Sequence, residues 1–238
     1  MIEIAICLAI IGFALVAIIG VLPLGMNTQR DTREETVINQ DATVLLEVIR
    51  GGARGADYLT NYVYAITNNR AYYKNGVPTP DVIGWSTADY LTNGANIVGL
   101  LSTPEFTDNN LAAPLPPLSY DGYSNHIIAY VRSLSGLAAE KPPQNNTIMR
   151  EDTFTYRVYC VNAPLAVDTN SPLQGFSRQL ANCLRELRLT FLWPQLPNGN
   201  LGANRQTFRT TVAGQLNYQP TNNMPTFFYQ SQSFTNAP

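Results

Sequence analysis

Residue types able to do chemistry are few in this chain and widely scattered. There is one histidine, His126, and there are three cysteines, Cys7, Cys160 and Cys183, without a C-x-x-C spacing. That inventory argues against a structural zinc site and against histidine-centred catalysis. No phosphate-cradling glycine loop, H-E-x-x-H or G-x-S-x-G occurs. Asp108, Asp121, Glu151 and Asp152 match no calcium-loop spacing. The expectation is a protein with no catalytic residue, no metal and no cofactor. Glu3 is the exception. It stands at the edge of a long apolar stretch, where an unpaired carboxylate costs several kcal/mol, so it calls for a partner.

The element that positions Glu3 is Ile4 to Leu22, IAICLAIIGFALVAIIGVL, which lacks any charged or strongly polar side chain. As a helix rising about 1.5 Å per residue it spans roughly 28 Å, close to the hydrocarbon thickness of a bilayer. Its apolar residues give an insertion free energy on the order of −4 to −7 kcal/mol. A cleavable secretory signal would open with Lys or Arg, whereas the first positive charge here is Arg30. On a helical wheel Ala5, Ala9, Gly12, Val16 and Gly20 share one face, a mostly small stripe along which other helices can approach closely. Pro23, flanked by Gly20 and Gly25, predicts a kink or an unwound stretch between those glycines.

The segment MIEIAICLAIIGFALVAIIGVLP resembles the N-termini of type IV pilins and type II secretion pseudopilins. The resemblance covers residues 1 to about 25 closely and then fades into general architecture. It implies that prepilin peptidase removes a leader, that the new N-terminus is methylated, and that the helices leave the inner membrane to bundle in a filament core. Glu3 matches the family glutamate, which neutralises the terminal amine of an adjacent subunit during assembly. That glutamate usually stands two residues further from the processed end than Glu3 does from Met1, so the resemblance implies two residues ahead of Met1. The expected function is a structural subunit of an extracellular, cell-surface type IV pilus-like filament built from identical copies with the pilus assembly machinery. The alternatives are a secretion pseudopilin and a single-pass membrane-anchored binding module.

The expected fold class is α+β and pilin-like, a long N-terminal helix packed on a C-terminal antiparallel sheet. Three segments are expected: the apolar helix over 1–26, an amphipathic helix over 27–66 and a β-rich head over 67–238. In the second, Val37, Val44, Leu45, Val48 and Ile49 recur at helical spacing, with Arg30, Asp31, Arg33, Glu34, Glu35, Asp41 and Glu47 on the polar side. Gly51 and Gly52 end or interrupt this helix, and Ala56, Leu59, Val63 and Ile66 continue it as a second piece. Residues 68–150 read as irregular and loop-rich, with a proline-rich loop from Thr103 to Leu118 and an Asn145-Asn146-Thr147 glycosylation sequon.

Alternating patterns over Phe154 to Cys160 and Leu187 to Trp193 predict strands, each with one buried face. Asn198-Gly199 then turns the chain back into a third antiparallel strand over Gln206 to Ala213. Cys160 and Cys183 are either joined by a disulfide worth about 3 kcal/mol or remain two buried thiols. The tail beyond Arg209 has no charge but carries Phe227, Phe228, Tyr229 and Phe234, so docking on the head or on a neighbouring subunit is expected. The chain has 238 residues, 45% apolar and only 13% charged, with a net charge of −2. With no run of Lys or Arg, nucleic acid is not an expected partner.

Overall fold

A computed structural model describes residues 2–52, 55–74, 77–86, 88–108, 121–135, 154–165, 183–196, 198–221 and 224–230, apart from the side chains of Pro23, Leu24, Lys74 and Thr221. The chain divides into two units, Met1–Gln40 and Asp41–Pro238. Helix α1 runs over Ile2–Gly51 and contributes to both. Apolar and straight-chain residues dominate it, and Glu3 in the first turn and Arg50 in the last complement the helix dipole.

The unwound stretch expected between Gly20 and Gly25 is absent, because helix continues through all of it. Proline at position 23 removes one amide donor, and the hydrogen bonds of the turns on either side keep the helix propagating. The helix stops where expected: Gly52 takes φ +73°, the left-handed conformation that ends helices and that a Cβ would strain.

The expected second helical piece does not form. Asp57–Asn61 makes a short 3-10 turn, and the β-branched and aromatic residues that follow enter strand β1, Val63–Lys74. The region read as loop-rich holds four more elements: β2 (Val77–Ser86), helix α2 (Gly94–Leu101), β3 (Phe106–Asp108) and β4 (Gly122–Arg132). The Asn93 side chain caps α2 by accepting from the Ala95 amide at 2.7 Å. The sequon, and the expected proline-rich loop beyond Asp108, lie outside the described residues.

The C-terminal expectations hold more closely. Strands β5 (Thr155–Pro164) and β6 (Leu184–Gln195) contain the two predicted alternating runs, except for Phe154 just ahead of β5, and β7 (Leu201–Ala213) contains the predicted third strand. The turn into β7 uses Gly199 at φ +82°, as the Asn-Gly pair implies. The main sheet has strand order β2-β1-β4-β5-β6-β7, with β3 beside β4, and its pairings are antiparallel. Strands β8 (Gln215–Thr221) and β9 (Met224–Gln230) form a separate antiparallel hairpin from the uncharged tail. A long apolar N-terminal helix with a C-terminal antiparallel sheet gives an α+β layout.

Within Asp41–Pro238 the main sheet buries one face. Tyr156, Val158 and Cys160 of β5 and Leu187, Leu189, Phe191 and Trp193 of β6 point inward. Ala42, Leu45 and Ile49 from the end of α1 are buried as well, as are Ile97, Val98, Leu100 and Leu101 of α2. The tail does dock on its own head: Phe227, Phe228 and Tyr229 are buried, whereas Phe234 lies outside the described residues. The docking is close. A Cβ placed on Gly99 of α2 would stand 2.6 Å from Thr226 Cβ and 2.8 Å from Phe228 Cζ, so only glycine lets α2 meet β9.

The register rules out the expected disulfide, and Cys160 and Cys183 are not joined. Cys160 pairs with Leu189, and Pro164 with Arg185, so the position opposite Cys183 lies beyond the end of β5. That is six residues from Cys160, about 20 Å along an extended chain, whereas a disulfide needs Cα atoms within about 7 Å. Burial pushes the Cys160 thiol up to about 12, so it packs as a neutral apolar group.

Candidate functional site

The first candidate is the apolar part of α1. Each described residue from Ile2 to Leu22 is exposed; Ile2 is 78% accessible and Phe13 80%. The stretch is long and apolar enough to cross a membrane by length and composition. Glu3 sits in the first turn, and its carboxylate is the one acidic group among apolar side chains. Because the helix is continuous, Ala5, Ala9, Gly12, Val16 and Gly20 do lie along one face. Added Cβ atoms at Gly12, Gly20 or Gly25 would meet nothing within 4 Å, so the stripe and the helix beyond it present open backbone.

The character of α1 changes after Gly25. Arg30 pairs with Glu34, four residues on, at 2.9 Å, and a pair of this kind on a helix surface is worth a few tenths of a kcal/mol. The hydroxyls of Thr32 and Thr36 donate to the carbonyls one turn earlier, at 2.8 Å each, so these side chains bond to the helix itself.

Two buried polar clusters in the head form the second candidate. Asp41 was expected on the polar side of α1 but is fully buried. It accepts hydrogen bonds from the Leu134 amide at 2.9 Å, the Ser135 hydroxyl at 2.5 Å and the Tyr156 hydroxyl at 2.8 Å. Burial raises its pKa above the ordinary carboxylate range, while hydrogen bonds from Ser135, Leu134 and Tyr156 oppose the shift. Burial, with the facing carboxylate of Asp41, also drives the Tyr156 phenol well upward.

The other cluster centres on Asn162 in β5. Its Oδ1 accepts from Arg185 Nε and from the Tyr229 hydroxyl, both at 2.7 Å, and its carbonyl accepts from the Arg185 guanidinium at 2.9 Å. Its Nδ2 donates to the Ser102 carbonyl at 2.6 Å. One side chain thus ties the sheet to the loop after α2 and to β9. Burial lowers the pKa of Arg185, against the opposing influence of Tyr229 and Glu105, and burial pushes Tyr229 up to about 12.

These clusters join covering elements to the sheet, and their hydrogen-bonding groups face one another. Among the described residues no group of three His, Cys, Asp or Glu side chains is placed to hold a metal ion. Of the carboxylates considered for calcium, Glu151 and Asp152 lie outside the described residues. His126 is exposed on β4. Asp41 was legible in principle, since it stands four and eight residues before Leu45 and Ile49, on their face of the helix. Asn162 and Arg185 carry no local signal, for only the β5–β6 register brings them together. The chain matches no protein-family model, no curated protein and no solved structure in the three comparisons made.

Proposed function

We propose that this protein is a structural, pilin-like subunit that polymerises through its N-terminal helix into a filament of identical copies outside the cell. The observation that carries this reading is the apolar stretch of α1, exposed on every side from Ile2 to Leu22. Such a surface is unfavourable in water and calls for lipid before assembly and other copies of the helix afterwards. Glu3 adds direction. A carboxylate at the start of an apolar bundle is retained at a cost of several kcal/mol unless a cation meets it, and the amine of a neighbouring subunit's processed N-terminus is such a cation. The small stripe from Ala5 to Gly20 lets helices approach closely without moving the larger Ile, Leu and Phe side chains.

The work of this subunit is assembly, with no reacting group of its own. It lies in the inner membrane before assembly, where prepilin peptidase processes it, and at the cell surface afterwards. A secretion pseudopilin uses the same helix, and the sparsely charged surface favours the exposed filament over it. A single-pass anchored binding module is the rival from another class.

Electron microscopy of material sheared from native cells, with mass spectrometry of this polypeptide's N-terminus in that fraction, tests the proposal. Filaments containing a processed, methylated N-terminus support it; an unprocessed monomer retained in membranes overturns it. Glu3→Ala is expected to abolish filaments while leaving membrane insertion intact. Unchanged filament yield from that variant would leave α1 as a tether.

A further inference from the structure

The charge of the head is unevenly distributed. Among the described residues, strands β4 to β7 turn one face to the core, and the opposite face gathers Arg132, Arg157, Arg188, Arg205 and Arg209 with a single carboxylate, Glu186. Five arginines less one glutamate give +4, in a chain whose net charge is −2. The clustering is invisible along the sequence, because each strand supplies only one or two of these residues. Register assembles them: Arg157 pairs with Leu192, which pairs with Arg205, and Arg188 pairs directly with Arg209.

From sheet spacings, Arg157 and Arg205 stand about 10 Å apart and Arg188 and Arg209 about 5 Å, in two rows separated by roughly 13 Å along β6. Like charges directly opposite destabilise a sheet. Glu186 Oε1 partly offsets this, at 3.6 Å from Arg188 Nε and 3.9 Å from Arg209 Nη1. Arg188 and Arg209 thus share one carboxylate, and Arg205 stands exposed on β7.

We propose that this open face of the sheet binds a linear, carboxylate-bearing polysaccharide. The cations are all arginine, whose planar forks grip carboxylates through two parallel hydrogen bonds in a way lysine cannot. Between the two rows lies a hydroxyl pair, Thr190 and Thr207 at 3.0 Å, suited to the hydroxyls of a sugar. Nucleic acid fits less well, because bases need aromatic faces on which to stack. Here Arg132 already lies over the Tyr64 ring at 5.1 Å and Arg157 over the Tyr130 ring at 4.9 Å, which leaves Tyr159, half-buried beside Thr190, as a single ring between the rows rather than a run on which successive bases could stack. The stacking also holds Arg157 in place, and its guanidinium donates to the Gly199 carbonyl at 2.6 Å. This face belongs to the head alone, and the inference is independent of whether α1 assembles or merely anchors.

The test uses the full chain in detergent micelles, with alginate as the polyuronate probe, neutral dextran as control and single-stranded oligothymidine as competitor. Alginate is expected to bind in a salt-dependent way and dextran not to bind. Arg205→Gln with Arg209→Gln, both exposed on β7, should weaken alginate binding about tenfold and flatten its salt dependence, with the unfolding transition unchanged. Arg205→Lys with Arg209→Lys should keep the salt dependence yet bind more weakly than the native chain, because charge remains without the fork. Equal binding of dextran and alginate, or native affinity in the glutamine variant, overturns the proposal. Oligothymidine binding more tightly than alginate overturns it too, and assigns the face to nucleic acid.

Discussion

The N-terminal half of α1 and the core of the head distribute polarity in opposite ways. From Ile2 to Leu22 the helix exposes apolar side chains on all sides, whereas the head buries Asp41 and Arg185 among its apolar residues. In the head every buried polar group of the two clusters is met by a partner from the same chain, so desolvation is offset within the fold. In α1 the compensating surface must come from outside, as lipid or as another helix. The difference separates what this polypeptide completes alone from what it leaves for association.

The sharpest way to break that contrast is to remove the hub of the buried cluster. Asn162→Ala deprives Arg185 and Tyr229 of their shared acceptor and frees the loop after α2 from β5. With a cation and a phenol left buried without that acceptor, the head is expected to lose on the order of 3–5 kcal/mol. Urea denaturation of the full chain in detergent, followed by the fluorescence of the buried Trp85 and Trp193, measures the loss. Membrane association should be unchanged. A head that keeps its denaturation midpoint would show that the cluster is peripheral to stability.

The converse change attacks α1 and spares the head. Ile11→Arg places a charge in the middle of the apolar stretch, where insertion becomes less favourable by about 3 kcal/mol. Alkaline extraction of membranes should then release a much larger fraction of the variant, while the head unfolds at the native urea concentration. Equal retention would mean that membrane insertion is not what holds the chain in place.

How far each region was readable from sequence follows from the range of its contacts. The apolar helix, the strands over 155–164 and 184–195 and the Asn198-Gly199 turn depend on neighbours a few residues away, so periodicity and turn chemistry disclosed them. The start of strand β1, up to Ile66, was read as helix because Leu59, Val63 and Ile66 have helical spacing, a pattern that a short 3-10 turn followed by a strand also produces when its start is slightly irregular. Helix α2 escaped notice because Ile97, Val98, Leu100 and Leu101 read as a short apolar run interrupted by Gly99, and its eight residues give the period too few turns to show. The disulfide failed for a related reason. Proximity in sequence placed Cys160 and Cys183 on consecutive strands, but only the register reveals that they are staggered along those strands. The arginine face was hidden in the same way, since charge runs are sought along a chain and this one is built across it.

The smallest expected effect refines the comparison at Asp41, where a buried carboxylate sits on the helix that also carries the apolar surface. Its folded pKa is raised above the unfolded value, chiefly by burial. The folded state therefore holds the proton more tightly than the unfolded chain. The stability this contributes is fully present below about pH 3.9, the ordinary aspartate value, and is lost as pH rises through the folded pKa. Asp41→Asn cannot titrate and keeps one of the two oxygens that accept from Leu134, Ser135 and Tyr156. Subtracting its urea stability from that of the native chain cancels the other titrating groups. The difference should move against the native chain as pH rises from about 4, at no more than about 1.4 kcal/mol per pH unit for one proton, and then level off. A difference that instead favours the native chain with rising pH would mean that the three hydrogen bonds outweigh burial. Asp41 would then be an anchor tuned to its ionised form, and α1 would join the head through a charge as fully compensated as Arg185.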